Sequence, residues 1–244
     1  MSAINKSKLT INKPKNRLLA ALPAEEYARL LPKLEEFPLI YAETIYEPND
    51  IIRRVYFPES GIISLLSTVG ENSLLEVGIV GSEGFIGLPV FLGVETSNNL
   101  AIVQGAGAAL TMKTTDFLAE CKNGDALSRL LQRYTHSLIA QISQSAVCNR
   151  FHAIEARLAR WLLMTGDRML SNEFQITQEF LSNMLGVRRE AVNKSATVFQ
   201  RSNLISYNRG KVSILDRAGL KAAACRCYFI IKEEYENSPA QSPA

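Results

Sequence analysis

Ile176-Thr-Gln-Glu-Phe-Leu-Ser-Asn-Met-Leu-Gly186-Val-Arg-Arg-Glu-Ala-Val-Asn-Lys194 reads as two short helices crossing at a tight turn. Thr177 is placed to cap the first helix, and Gln178 and Glu179 fill its first turn, where an acid suits the helix dipole. Ser182 is small where the second helix must pass close. Gly186 falls where the turn needs a left-handed backbone. In the second helix Val187, Ala191 and Val192 are expected to face the core, with Arg188, Arg189, Glu190, Asn193 and Lys194 on the opposite side. A helix that is apolar behind and basic-polar in front suits the major groove of duplex DNA.

The charge distribution agrees. The chain has 244 residues and a net charge of only +3. Residues 1–125 hold 11 Lys/Arg against 15 Asp/Glu, and residues 126–244 hold 16 against 9. The C-terminal half is therefore the side that suits a polyanion. An apolar fraction of 47% supports real cores. No run of 18 apolar residues exists, so no membrane span is expected. Residues 1–17 carry five basic residues and no acid, and lack the apolar core of a secretory signal. They read as a flexible, solvated lead. Four cysteines are too few for a disulfide scaffold of this length, which suits a reduced, cytoplasmic protein.

Residues 18–124 divide into a helix over Leu18–Leu34, entered at Pro23, and then short β-like runs: Leu39–Tyr46, Ile51–Phe57, Ile62–Val69, Leu74–Val80, Leu100–Gln104 and Ala108–Met112. Turn signals separate the runs, among them Glu59-Ser60-Gly61, Gly70-Glu71-Asn72 and Gly105-Ala106-Gly107. The spacing predicts a β-roll or sandwich. Residues 125–150 lack Gly and Pro and predict one long helix. Its stripe of Leu127, Leu131, Tyr134, Leu138 and Ile142 is expected to pair with a second copy of the chain, the alternative being a helix lying against the roll. Residues 151–232 then predict a helix over Phe151–Met169, a strand at Phe174–Ile176, the helix pair, a hairpin tipped by Asn208-Arg-Gly-Lys211 and a last helix over 216–232. Residues 233–244 read as a disordered tail.

In this order the chain resembles the Crp/Fnr superfamily of bacterial transcription regulators. The resemblance is carried by Arg157-Leu-Ala-Arg-Trp-Leu-Leu163, the reading motif, Leu204-Ile-Ser-Tyr-Asn-Arg-Gly210 and Gly84-Phe-Ile-Gly87. It implies an α+β chain: an N-terminal β-roll (double-stranded β-helix, cyclic-nucleotide-binding-like), a long dimerisation helix and a C-terminal winged helix-turn-helix. The implied partners are double-stranded DNA, a second copy of the chain on a palindromic site, and RNA polymerase. The resemblance further implies that Arg189 reads a guanine and Glu190 a cytosine amino group, which their chemistry permits. Lys194 stands where relatives carry a second base-reading arginine, and a lysine lacks the fork. Thr177 and Gln178 would meet a phosphate from the helix start, and Arg209 and Lys211 would add phosphate contacts from the wing.

The pocket region departs from the family pattern. Gly84, Phe85 and Gly87 stand at the turn, but Leu88-Pro89 follows where a ribose-binding glutamate is expected. Asn99-Leu100 stands where an Arg-Ser pair would hold a cyclic phosphate. No arginine or lysine lies between Arg54 and Lys113. Cyclic AMP is not expected, and the effector is unknown. A cupin-type enzyme would need histidine and carboxylate ligands on roll strands. The only histidines, His136 and His152, lie in the helical region, so no enzyme is expected. Cys148 and His152 share a helix face, and Cys225 and Cys227 form a Cys-x-Cys. These four have the residue types of a Cys₃His metal site or a redox switch, though small buried cysteines are the plainer expectation. The competing functional reading is a small-molecule or redox-sensing module that acts without touching DNA.

Overall fold

Two long antiparallel strands organise the N-terminal half of the computed structural model, which describes residues 13–68, 74–123 and 125–236. Most of the lead, the turn at 70–72 and the tail from 237 lie outside the described residues. Helices α1 (Arg17–Ala20) and α2 (Ala24–Leu30) replace the single helix expected over 18–34, because Pro23 starts a new one. Strands β1 (Glu35–Leu39), β2 (Thr44–Tyr46), β3 (Arg54–Thr68), β4 (Leu74–Val80) and β5 (Leu100–Lys113) follow, with the one-turn α3 (Leu88–Phe91) before β5. They form one antiparallel sheet in the order β1-β5-β3-β4, with β2 also on β5.

Two expected turns lie inside the long strands. Glu59-Ser60-Gly61 sits in β3 and Gly105-Ala106-Gly107 in β5, where the pairing register shifts repeatedly. A Cβ on Gly61, whose φ is +80°, would lie 2.5 Å from the Gly105 carbonyl oxygen. The glycines thus permit bulged, bent strands to pass at close range rather than ending them.

After α4 (Thr114–Asn123) comes α5 (Asp125–Phe151), as long as the sequence suggests. Its predicted pairing stripe requires a correction. Leu127, Leu131, Tyr134 and Leu138 are buried within the chain, in one core with Val55, Phe57 and Phe85 of the roll, and Ile142 packs against it. Three- and four-residue spacing revealed a buried stripe but not what covers it. The opposite side of α5 exposes Ile139 (56%) and Val147 (46%).

The C-terminal half comprises α6 (Ile154–Met169), β6 (Glu173–Gln175), α7 (Gln178–Leu185), α8 (Arg189–Arg201), β7 (Ile205–Asn208), β8 (Lys211–Ile214), α9 (Arg217–Ala223) and α10 (Cys227–Glu236). The last helix expected over 216–232 is broken at Ala224, which is extended at ψ 152°, leaving Cys225 in the gap. The two halves share apolar packing: Ile62, Leu66 and Ile79 of the roll meet Leu158, Trp161 and Leu162 of α6.

Polar contacts stitch the same seam. Arg168 of α6 pairs with Glu83 of the roll at 2.8 Å, with both side chains almost wholly buried. The Gln141 amide of α5 accepts from the Ile79 N–H at 2.7 Å and donates to the Ile79 carbonyl at 3.2 Å, as a neighbouring strand would. Ser64 Oγ has one proton and two oxygen neighbours, Glu76 Oε2 at 2.8 Å and Gln104 Oε1 at 2.5 Å. Gln104 in turn donates to Thr165 of α6 at 2.8 Å. A protonated Glu76 completes this series, donating to Ser64, which donates to Gln104.

Burial pushes the Glu76 carboxyl up to about 7, against hydrogen bonding by Ser64 and the fields of Arg160 and Arg168. The folded chain then holds a proton that the unfolded chain has lost. Its stabilising effect is full below about 4.5 and is lost as pH rises to about 7. Urea titrations across that range are expected to show stability falling with pH, with a shallower fall in Glu76→Gln. Identical slopes in the two proteins would mean that Glu76 is already ionised.

Candidate nucleic-acid interface

The helix pair forms as its local chemistry dictates. Thr177 has an extended backbone, and its Oγ1 accepts from the Phe180 N–H at 3.0 Å, capping α7. Gly186 ends α7 in the left-handed region at φ 59°, ψ 41°. Arg157 of α6 donates to the Leu185 carbonyl and holds that end of α7 from behind. Val192, Ala196 and Phe199 of α8 are buried, with Ile205, Val212 and Ile214 of the wing in the same core.

The front of α8 is solvent-facing. Arg188, Arg189, Glu190, Asn193 and Lys194 are all exposed. Arg188 occupies the position before the first helical residue, with extended backbone, and no side chain caps the helix there. Outward amide groups and two guanidinium groups therefore coincide at the α8 start, a setting that favours anions. Among the described residues no ion pair involves Arg188, Arg189, Glu190 or Lys194. An intrahelical Glu190–Lys194 bridge would have tied up both groups, and it does not form. Gln178 donates to Asn193 at 3.2 Å, locking α7 to α8.

The wing is a two-residue hairpin. Arg209 and Gly210 both have positive φ, +48° and +77°, as a type I′ turn requires. The Ile176 N–H donates to the Gly210 carbonyl at 2.7 Å, and Tyr207 Oη donates to the Ile176 carbonyl at 2.9 Å, fixing the tip beside the α7 start. The two wing cations differ. Lys211 pairs with Glu173 of β6 at 2.6 Å, and this contact holds the Glu173 carboxyl below its usual range. Arg209 forms no ion pair among the described residues, so its guanidinium is the freer of the two.

Two residues that sequence reading did not single out bring the roll to the back of this motif. The Tyr41 ring lies 5.6 Å from that of Phe180. Burial there raises the pKa of its phenol. Leu75 of β4 lies under the Gly186 turn, where a Cβ would come 2.8 Å from its Cδ1. No local pattern points to either residue, since each contact spans more than a hundred positions.

The pocket beside the turn at Phe85, Ile86 and Gly87 is small. Phe85, Gly87, Leu88 and Asn99 line a cavity of about 120 Å³, with Leu138 and Ile142 of α5 closing it. Gly84 and Leu100 do not line it; Gly84 backs onto Tyr134, whose ring a Cβ would enter. Among the described residues no charged side chain lines the cavity, and the Asn99 amide is spent on Ser67 Oγ at 3.1 Å and the Leu66 carbonyl. The four metal-type residues do come together: Cys148, His152, Cys225 and Cys227 place their ligand atoms within 4.8 Å of one another.

Gly186→Ala is expected to destabilise the protein by about 1–2 kcal/mol from its left-handed backbone alone, with a further loss from Leu75. In urea titrations, Leu75→Ala in the same chain should recover the steric part only. Full recovery would mean that the backbone carries no cost.

Residues 156–223 match the family model of the Crp-like helix-turn-helix domain. No curated protein matches the chain. Many solved structures share the fold. A protein from Eubacterium rectale described as a transcriptional regulator of the Crp/Fnr family is 16% identical, with a TM-score of 0.66, over 84% of this chain and 96% of its own. A CRP-family transcriptional regulator from Thermus thermophilus is 21% identical, with a TM-score of 0.63, over 78% of this chain and 96% of its own. FixK2 from Bradyrhizobium japonicum is 13% identical, with a TM-score of 0.64, over 79% and 98%.

Proposed function

We propose, on the premise that residues 156–223 are a Crp-like helix-turn-helix domain carried on a Crp/Fnr fold, that this protein is a DNA-binding transcription regulator acting as a homodimer in the cytoplasm. The observation that carries the reading is the exposed face at and after the start of α8, where Arg188, Arg189, Glu190 and Lys194 have no ion-pair partners among the described residues. Arg189 can fork onto guanine O6 and N7, and Glu190 can accept from a cytosine amino group. Lys194 adds a point charge with less base preference. Arg209, and Lys211 once released by Glu173, would grip phosphates beside the motif, with Thr177 and Gln178 at the α7 start.

The homodimer would form through the outward side of α5, where Ile139, Ser143 and Val147 follow Gln132 and His136 around one face. Pairing there presents two α8 helices to half-sites about 34–36 Å apart in a palindrome. RNA polymerase is the further partner this role requires. Cyclic AMP is not the effector in this reading, which is supported by a cavity of about 120 Å³ with no cation lining it among the described residues to offset the desolvation of a phosphate.

Arg189→Ala is expected to cost about 1–3 kcal/mol on the preferred site and to relax base preference, while Arg209→Ala weakens all duplexes alike and lowers the salt slope by about 1. Equal losses on matched and scrambled sites, measured by salt-dependent gel shift, would contradict that division of labour. Ile139→Glu should yield monomers in sedimentation with the circular dichroism of the parent. Leu138→Glu, directed at the roll core, should unfold the chain instead; a monomeric parent would remove the pairing face from the scheme. Calorimetric titration with cyclic AMP is expected to give no micromolar binding, and such binding would refute the reading of the pocket.

A further inference from the structure

We propose that Cys148, His152, Cys225 and Cys227 form a tetrahedral site for a thiophilic divalent cation of the zinc type, built across the junction between α5 and the C-terminal domain. The residues come from two places far apart in sequence. Cys148 lies in the last turn of α5, and His152 follows it by one helical turn, its N–H still donating to the Cys148 carbonyl at 3.1 Å. Cys225 lies in the gap between α9 and α10, and Cys227 is the first residue of α10. Residues two apart inside a helix point to different sides. The extended Ala224 breaks the helix ahead of this pair, so both thiols can face α5.

The spacing fits one metal ion. Bonds of about 2.3 Å to sulfur and 2.0–2.1 Å to nitrogen give a tetrahedron with edges of roughly 3.5–3.8 Å. Here Cys148 Sγ and Cys225 Sγ are 3.4 Å apart, Cys227 Sγ and His152 Nδ1 are 3.5 Å apart, and all four ligand atoms fall within 4.8 Å. A multi-iron cluster needs its sulfurs spread wider. The three cysteines are buried and His152 is half-buried, which leaves an entry path at the histidine edge.

The surroundings suit thiolates. Gln144 Nε2 donates to Cys227 Sγ at 3.0 Å, as an outer partner of a metal thiolate does. Arg157 and Arg160 are buried close enough for their charge to bear on Cys148 and Cys225, and the Nε of each is buried without a hydrogen-bond partner. Three thiolates around a doubly charged cation leave one negative charge, which these guanidinium groups offset. Binding releases the thiol protons and involves no oxidation. The metal would tie the end of α5 to the α9–α10 segment, spanning the break at His152–Ala153 where the C-terminal domain begins.

The test uses the full chain, purified with reductant and dialysed against a weak chelator. Elemental analysis is expected to find about one zinc per chain, falling about tenfold or more in Cys148→Ser and in Cys227→Ser. Cys121→Ser, outside the cluster, should keep its zinc. Cobalt added to stripped protein should give thiolate-to-metal charge transfer and the absorption of a tetrahedral ion. Should the cysteine variants fail to fold, His152→Ala is the second arm: it retains three thiolates and should shift the cobalt spectrum while keeping its charge-transfer band. Zinc below about a tenth of an equivalent in the parent, with no cobalt charge transfer, overturns the proposal. So does zinc content that Cys148→Ser and Cys227→Ser leave unchanged, or a Cys148–Cys225 disulfide whose reduced form takes up neither metal.

Discussion

The long helix α5 has two sides and can give only one to the roll. Leu127, Leu131, Tyr134 and Leu138 fill the roll core, and the Tyr134 ring sits over Gly84, 5.5 Å from the ring of Phe85. Any larger residue at position 84 would displace that ring. Once this rotation is fixed, the other positions follow. Gln141 meets the edge of β4, Gln144 and Cys148 turn toward the start of α10, and Ile139 and Val147 are left in solvent. The roll, the C-terminal domain and the outward face are thus set by one packing decision.

Charge has to be counted by position as well as by sum. The C-terminal half carries the excess of cations, yet Arg157, Arg160 and Arg168 are buried. Arg217 is paired with Asp167, and Lys232 lies between Asp167 and Glu236. These cations hold the domain together and contribute little to any field outside it. On the exposed face of the helix pair and wing, Arg188, Arg189, Lys194 and Arg209 are the cations that form no ion pair among the described residues.

Local chemistry made the reading motif legible in the sequence. A threonine cap, a left-handed glycine and a two-residue hairpin depend on neighbours within a few positions, so Thr177, Gly186 and Arg209-Gly210 took the expected forms. Features that depend on distant partners were not legible. Glycines in β3 and β5 read as turns because nothing local reveals that another backbone passes there. The α5 stripe was visible, but its cover was not. Lys211 looked like a free phosphate donor because its partner Glu173 lies across the wing sheet. The cysteines are legible in the sequence as ligand types, but their meeting depends on a helix break at Ala224 that composition does not announce.

Ile62, Leu66 and Ile79 belong to the roll by sequence and to the reading domain by packing, beside Leu158, Trp161 and Leu162. A reading domain cut out at residue 152 would begin life with a raw apolar wound where those three side chains had been. The same debt faces any swing of the domain in the intact chain. Each 100 Å² of apolar surface pulled apart costs about 2.5 kcal/mol. An effector that moves the α8 helices must therefore bind the displaced arrangement more tightly by at least that margin, or bring apolar surface of its own to cover the gap.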